Sequence, residues 1–235
     1  MNLLVFKGKT KSNLNSKRKL IAANDPKSPI SEQYRTIRTN IQFSVIDTEL
    51  RSVMATSSVP GEGKSTTISN LAVVFAQQGK KVLLVDADLR KPTMHYTFNL
   101  SNTIGLTSVL TKQSSLALAV REIAIENLSV LSSGPVPPNP SELLGSNAML
   151  HFLNDAYNIY DLILFDAPPV LAVTDAQILS NICDGTIFVV HSGKTEKESI
   201  VKAKELLQSA NTKILGTVLN NKEINENQYY YYGNE

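Results

Sequence analysis

Cysteine occurs once in this 235-residue chain, at Cys183. No disulfide can form within the chain, which suits a reducing cytoplasm. Long apolar runs are also missing: nothing approaches the roughly 18 consecutive apolar residues that a membrane-spanning helix needs. The opening MNLLVFKGKTKS lacks the apolar stretch of a secretory signal. These absences place the chain in the cytoplasm, without a membrane span of its own. The three histidines, His95, His151 and His191, are too far apart for metal-ligand spacing and read as packing or surface residues. Cys183 reads as a small core residue, and Tyr157 and Tyr160, just ahead of an apolar run, as packing residues.

Acidic residues are absent from the first twenty positions, where Lys7, Lys9, Lys11, Lys17, Arg18 and Lys19 give a local charge of +6. With the whole chain at +2, the remainder carries −4. Residues 1–27 therefore read as a basic arm, either solvated or resting on an anionic lipid surface or an acidic partner. No aromatic stacking motif accompanies it, so nucleic-acid binding is not expected.

What is present is a regular alternation. A hydrophobic fraction of 42% with 19% charged residues is ordinary for a globular domain. Short apolar, β-branched runs predict strands at about Ser52–Ser57, Lys81–Asp86, Leu128–Ser132, Asp161–Asp166, Thr186–His191 and Ile214–Leu219. Helical spacing separates them. Ile68, Leu71, Ala72 and Phe75 mark the first intervening helix, and Gly79 is placed to end it. Strands this uniformly apolar belong to a parallel sheet with helices on both faces. The prediction is an α/β, doubly wound, mainly parallel fold over residues 28–222, with a flexible tail at 223–235. PVPPNP (Pro135 to Pro140) reads as a rigid loop before a helix capped at Ser141.

SVPGEGKST (Ser58 to Thr66) lies between a predicted strand and a predicted helix, where a phosphate-binding P-loop belongs. Pro60, Gly61, Glu62, Gly63, Lys64, Ser65 and Thr66 are the candidate nucleotide-binding residues. The glycines let successive N–H groups face phosphate oxygens, and the helix adds its positive N-terminal end. Lys64 would reach the β- and γ-phosphates, and the Ser65 hydroxyl would ligate Mg²⁺. Ser58 stands where the usual pattern begins with glycine. Carboxylates follow at two more strand ends: Asp86 and Asp88 in VLLVDADLRKP, and Asp166 in LILFDAPP. Three acids exceed what one ion needs, so one could orient or deprotonate an incoming hydroxyl. Asn220, directly after the last strand, is a candidate adenine contact. At the far end Tyr229, Tyr230, Tyr231 and Tyr232 stand in a row, within reach of a neighbouring subunit along an extended chain of at most about 45 Å.

Together these motifs resemble the bacterial tyrosine kinases of the capsule and exopolysaccharide type, the CpsD/CapB family. SVPGEGKST is similar to their Walker A motif, VLLVDADLRKP to their Walker A′ motif and LILFDAPP to their Walker B motif. SGPVPPNPSELL (Ser133 to Leu144) is also similar to a family segment, and serine at the Ser58 position is familiar there. The resemblance implies an ATP- and Mg²⁺-dependent kinase that phosphorylates its own tyrosine cluster, one subunit acting on the next. It implies that Lys64 handles the phosphates, that Ser65, Asp88 and Asp166 organise Mg²⁺, and that Asp86 takes the tyrosine proton. Glu32, Arg35 and Arg38 form the family's E-x-x-R-x-x-R pattern on one helix face, which implies subunit contacts in a ring. It further implies recruitment to the inner face of the membrane by the cytoplasmic tail of a transmembrane polysaccharide co-polymerase. A cognate phosphotyrosine phosphatase and sugar-nucleotide enzymes complete the implied partners. Two rivals remain: a partition-type P-loop ATPase, although its signature lysine is replaced by Val59, and a ring-forming scaffold in which ATP is structural.

Overall fold

In a computed structural model of the chain, the structure describes residues 20–44 and 49–222. Two helices, α1 (Ile21–Asn24) and α2 (Pro29–Phe43), precede the first strand. Then come β1 (Ser52–Ser57), α3 (Lys64–Ala76), β2 (Val82–Asp86), α4 (Met94–Phe98), α5 (Leu106–Leu110), α6 (Leu116–Ala119), β3 (Arg121–Glu122) and β4 (Leu128–Leu131). The remainder is α7 (Pro140–Leu144), α8 (Asn147–Tyr157), β5 (Leu162–Asp166), α9 (Asp175–Ser180), β6 (Gly185–His191), α10 (Lys197–Ser209) and β7 (Ile214–Asn220). All six predicted strands form, within a residue or so at their ends. The two-residue β3 was not anticipated, because it is too short to carry an alternation.

The seven strands lie in the order β3-β4-β2-β5-β1-β6-β7. Every pairing is parallel except that of β3 with β4. From β1 the winding moves out to β2 and β4, returns to β5 between β2 and β1, then crosses β1 to reach β6 and β7. The loops after β1, β2 and β5 consequently open side by side where the winding reverses, the usual place for a ligand in such sheets.

Alternation along the central strands divides the core in two. Met54, Leu83, Val85, Ile163, Phe165, Phe188 and Val190 face one layer of helices, α5 to α10. Their neighbours Val53, Ala55, Val82, Leu84, Leu162, Leu164, Ile187 and Val189 face the other layer, α1 to α4. Successive side chains of a strand leave on opposite faces, so a strand covered on both sides must be apolar throughout. Helix α3 is buried along nearly its whole length, because α1 and α2 cover the side turned away from the sheet. An all-round apolar helix is stable only when enclosed in this way.

Two details differ from the sequence expectation. The packed body includes α1, ahead of position 28: Asn70 accepts from the Ala22 N–H at 3.0 Å, and the Gln77 amide donates to the Ala22 carbonyl at 3.0 Å. Ser141 does not cap α7. Asn139 occupies that position and Pro140 begins the helix, while the Ser141 hydroxyl donates to Asp175 at 2.7 Å. A proline fits the first helical position because its missing N–H would be unpaired there.

Leu71 is fully buried in α3. Leu71→Ala is expected to cost about 2–5 kcal/mol, seen as a lower denaturant midpoint with an unchanged slope.

Candidate active site

The turn between β1 and α3 is built around two left-handed glycines, Gly61 at φ +84 and Gly63 at φ +94. A side chain at either would strain the backbone, and a Cβ on Gly63 would also collide with the Asn220 side-chain amide. Gly63 is the residue before α3, and no side chain caps that helix. Its first-turn N–H groups lack intrahelical partners, so the turn presents amides and the positive end of a 13-residue helix together, a combination suited to an anion.

Behind the turn, Lys64 is almost buried. Its Nζ lies 3.3 Å from Asp166 Oδ1, 3.4 Å from Asp88 Oδ2 and 3.3 Å from Ser65 Oγ. Burial alone would drive the ammonium pKa down, but attraction to Asp166, Asp88 and Asp86 outweighs it and the pKa is raised. The four groups expected to act together are therefore brought together by the ends of β2 and β5 and the start of α3. Asp166 is fully buried, and its second oxygen, Oδ2, has no hydrogen-bond partner. Among the described residues no group of three or more His, Cys, Asp and Glu side chains forms a self-sufficient metal cage. Mg²⁺ does not require one, since it retains waters and shares carboxylates with phosphates. The Ser65 hydroxyl, Asp88 and the unpartnered oxygen of Asp166 are the donor set that fits.

Asp86 behaves differently. It pairs in register with Asp166 across β2 and β5 and is fully buried. Oδ2 accepts the Thr93 and Met94 N–H groups, each at 2.9 Å, and Oδ1 accepts that of Asp88 at 3.3 Å. Burial and the like charge of Asp166 push its pKa up to about 7, despite the opposing effect of the amides and Lys64. Sequence spacing places Asp86 and Asp88 on the same side; in the fold Asp88 reaches Lys64 while Asp86 also holds the loop after β2 in shape.

Several contacts that support the site carry no sequence signature. Glu62 is buried; one carboxylate oxygen accepts the Val59 N–H at 2.8 Å and the other accepts the Thr195 hydroxyl. Asn220 donates from its side chain to the Glu62 carbonyl at 3.0 Å, so the end of β7 touches the P-loop itself. Arg90 forms a two-pronged pair with Asp175, at 2.9 and 3.0 Å, and also donates to Ser141. That triad ties the loop after β2 to α7 and α9. Glu62 and Asn220 are themselves among the candidate nucleotide-binding residues and Arg90 stands inside VLLVDADLRKP, but nothing in the sequence marks the partners that each of them takes.

The remaining expected residues are spread out. Pro60 and Thr66 lie in and just after the turn. Glu32 and Arg35 pair on α2, Arg35 also donates to the Pro26 carbonyl at 2.8 Å, and Arg38 reaches across to the Val74 carbonyl at 2.8 Å. Arg38 thus docks α2 on the end of α3. Tyr229 to Tyr232 and the basic residues before Leu20 lie outside the described residues.

The raised pKa of Asp86 has a sign that can be checked. A carboxyl whose folded pKa exceeds its unfolded value of about 4 contributes stability that is full below that value and lost as pH rises to about 7. Asp86→Asn should therefore become more stable relative to the parent as pH climbs through this window, by up to a few kcal/mol. Urea unfolding of both chains at pH 4.5 and 7.5 measures it; a pH-independent difference would refute the assignment.

Comparison with known proteins fits this geometry. A family model described as an AAA domain matches residues 52–215. A tyrosine-protein kinase of Bacillus subtilis, YwqD, is 58% identical over 92% of this chain and 92% of its own length. A Staphylococcus aureus protein named as a putative tyrosine-protein kinase, CapB, is 44% identical over 89% of this chain and 93% of its own. Among solved structures, the chimerical protein CapA2B2 superposes with a TM-score of 0.85 at 46% identity, covering 87% of this chain and 90% of that one. A more distant neighbour is the septum site-determining protein MinD of Pyrococcus horikoshii, complexed with Mg-ADP. Its TM-score is 0.62 at 26% identity, over 75% of this chain and 72% of that one. With the Walker-type turn, the three strand-end carboxylates and relatives matched over nearly their full length, this chain belongs to the bacterial tyrosine-protein kinases of the CpsD/CapB family.

Proposed function

We propose that this chain is an ATP- and Mg²⁺-dependent kinase that phosphorylates Tyr229 to Tyr232 of a neighbouring copy, and through that cycle regulates capsule or exopolysaccharide synthesis and export. The observation that carries the reading is the cluster of Lys64, Ser65, Asp88 and Asp166 behind a turn with two left-handed glycines. A nucleotide on this turn would offer Lys64 a phosphate in place of its carboxylate partners. Ser65, Asp88 and Asp166 would hold Mg²⁺, which supplies charge neutralisation at the phosphates. The tyrosine hydroxyl oxygen attacks the γ-phosphorus, the bond to the β-phosphate oxygen breaks, ADP leaves, and the hydroxyl proton passes to a carboxylate. Asp86 is the proposed acceptor: its pKa near 7 suits a base at neutral pH, and Oδ1, with a single long hydrogen bond, is its more available oxygen.

The relatives named as kinases and the likeness to the CapA2B2 chimera support a capsule-related role and an activating partner chain. Among the described residues no helix is long and apolar enough to cross a membrane, which fits recruitment to the inner membrane face by such a partner. Glu32 and Arg35 on α2 remain the proposed ring contacts; Arg38, docked on α3, would set the angle of that helix. Asn220, beside Gly63, is proposed to border the adenine side of the site. The MinD likeness keeps one alternative in view, an ATPase without tyrosine transfer.

Intact-mass analysis of the full chain co-expressed with a membrane-partner tail, beside Lys64→Met, tests the reading. The expected result is phosphate increments mapping to Tyr229–Tyr232 in the parent and none in the variant. A bare tail in both, with ATP hydrolysed by the parent, would favour the ATPase.

A further inference from the structure

The turn that joins β6 to α10, SGKTE (Ser192 to Glu196), is bound to the P-loop. Thr195 donates its hydroxyl to Glu62 and accepts the His191 N–H at 3.1 Å. Gly193 turns the chain at φ +70, and the Lys194 and Thr195 N–H groups return to the His191 carbonyl at 3.3 and 3.1 Å. The result is a short, closed turn that leaves Lys194 over the phosphate-binding glycines: a Cβ built on Gly61 would lie 4.0 Å from the Lys194 ammonium. Lys194 is exposed and forms no ion pair among the described residues.

The two lysines at this turn are thus in opposite situations. Lys64 lies behind the turn among carboxylates, and much of its charge is already compensated. Lys194 lies in front of it, uncompensated, on an element fixed to the turn by the side chain of Glu62. Transfer of a γ-phosphoryl group accumulates negative charge on oxygens that one lysine and one Mg²⁺ share, and a second positioned cation lowers that cost.

We infer that Lys194 is a second phosphate-contacting cation of this site, held by the Thr195–Glu62 bond so that its ammonium meets the polyphosphate of the bound nucleotide at Gly61. The inference rests on the nucleotide-binding reading above. Because the lysine approaches from the solvent side, its attraction depends on the number of phosphates present, so it distinguishes MgATP from MgADP.

Titration calorimetry of the full chain with MgATP and MgADP, at two salt concentrations, tests it in the parent, Lys194→Ala, Lys194→Arg and the neighbouring surface variant Lys197→Ala. Lys194→Ala should weaken MgATP binding about tenfold, as expected for one lost charge-assisted contact. It should weaken MgADP less and show a shallower salt dependence. Lys194→Arg should restore most of the affinity, Lys197→Ala should match the parent, and nucleotide-free melting should be unchanged in all. MgATP binding by Lys194→Ala equal to the parent's would overturn the role of Lys194 and leave the nucleotide-binding reading standing. An equal loss in Lys197→Ala would also overturn it, as a general surface-charge effect. A parent chain that binds neither nucleotide would overturn both.

Discussion

A lysine ammonium held among carboxylates at the top of a parallel sheet sets the terms for everything around it. Burying Lys64 without partners would be prohibitive, and burying Asp88 and Asp166 without it equally so; removing one member of such a pair typically costs about 3–5 kcal/mol. Each charge is tolerable because the others are 3.3 and 3.4 Å away. The sheet makes this possible by ending β2 and β5 in register beside the start of α3. On the proposed reading the same arrangement suits exchange, because an incoming polyphosphate would replace the carboxylates as the partner of Lys64 and free them for a cation.

The fold was readable in advance because its central strands are enclosed on both faces. LLV, LILF and IFVV have no polar side to hide, and nothing but a two-sided parallel sheet uses them so. The P-loop was readable for a different reason: two closely spaced glycines followed by Lys64 and Ser65, set between a strand and a helix, form a combination that little besides a phosphate cradle requires. The contacts that support the site were not readable. Glu62 and Thr195, Asn220 and Glu62, and Arg90 with Asp175 and Ser141 are pairs of common polar residues separated by tens to well over a hundred positions. No local period or motif marks them, because their significance exists only once strand order brings the loops together. Ser141 shows the resulting error: it has the chemistry of a helix cap, but it lies within the helix and its hydroxyl donates to Asp175.

Asp86 illustrates how one residue can have two physical roles. Its amide hydrogen bonds shape the turn leading into α4, and its burial, with the like charge of Asp166 beside it, moves its pKa into the neutral range. Sequence spacing alone treats Asp86 and Asp88 as equivalent. Their difference arises from β-sheet register, which sets Asp86 directly opposite Asp166 and leaves Asp88 two residues beyond the end of the strand, where the chain turns it toward Lys64.

The division of the core into two clusters has an evolutionary consequence. Met54 pairs with Phe165 across β1 and β5 and shares one core layer with Leu83, while its chain neighbours Val53 and Ala55 belong to the other. A change of volume at Met54 must therefore be balanced by residues a hundred positions away, not by those beside it. Substitutions on α1 and α2, including the α2 surface that carries Glu32 and Arg35, can therefore be absorbed within their own layer while the packing of α5 to α10 stays as it was. The two halves of the protein are free to diversify at different rates around an unchanged sheet.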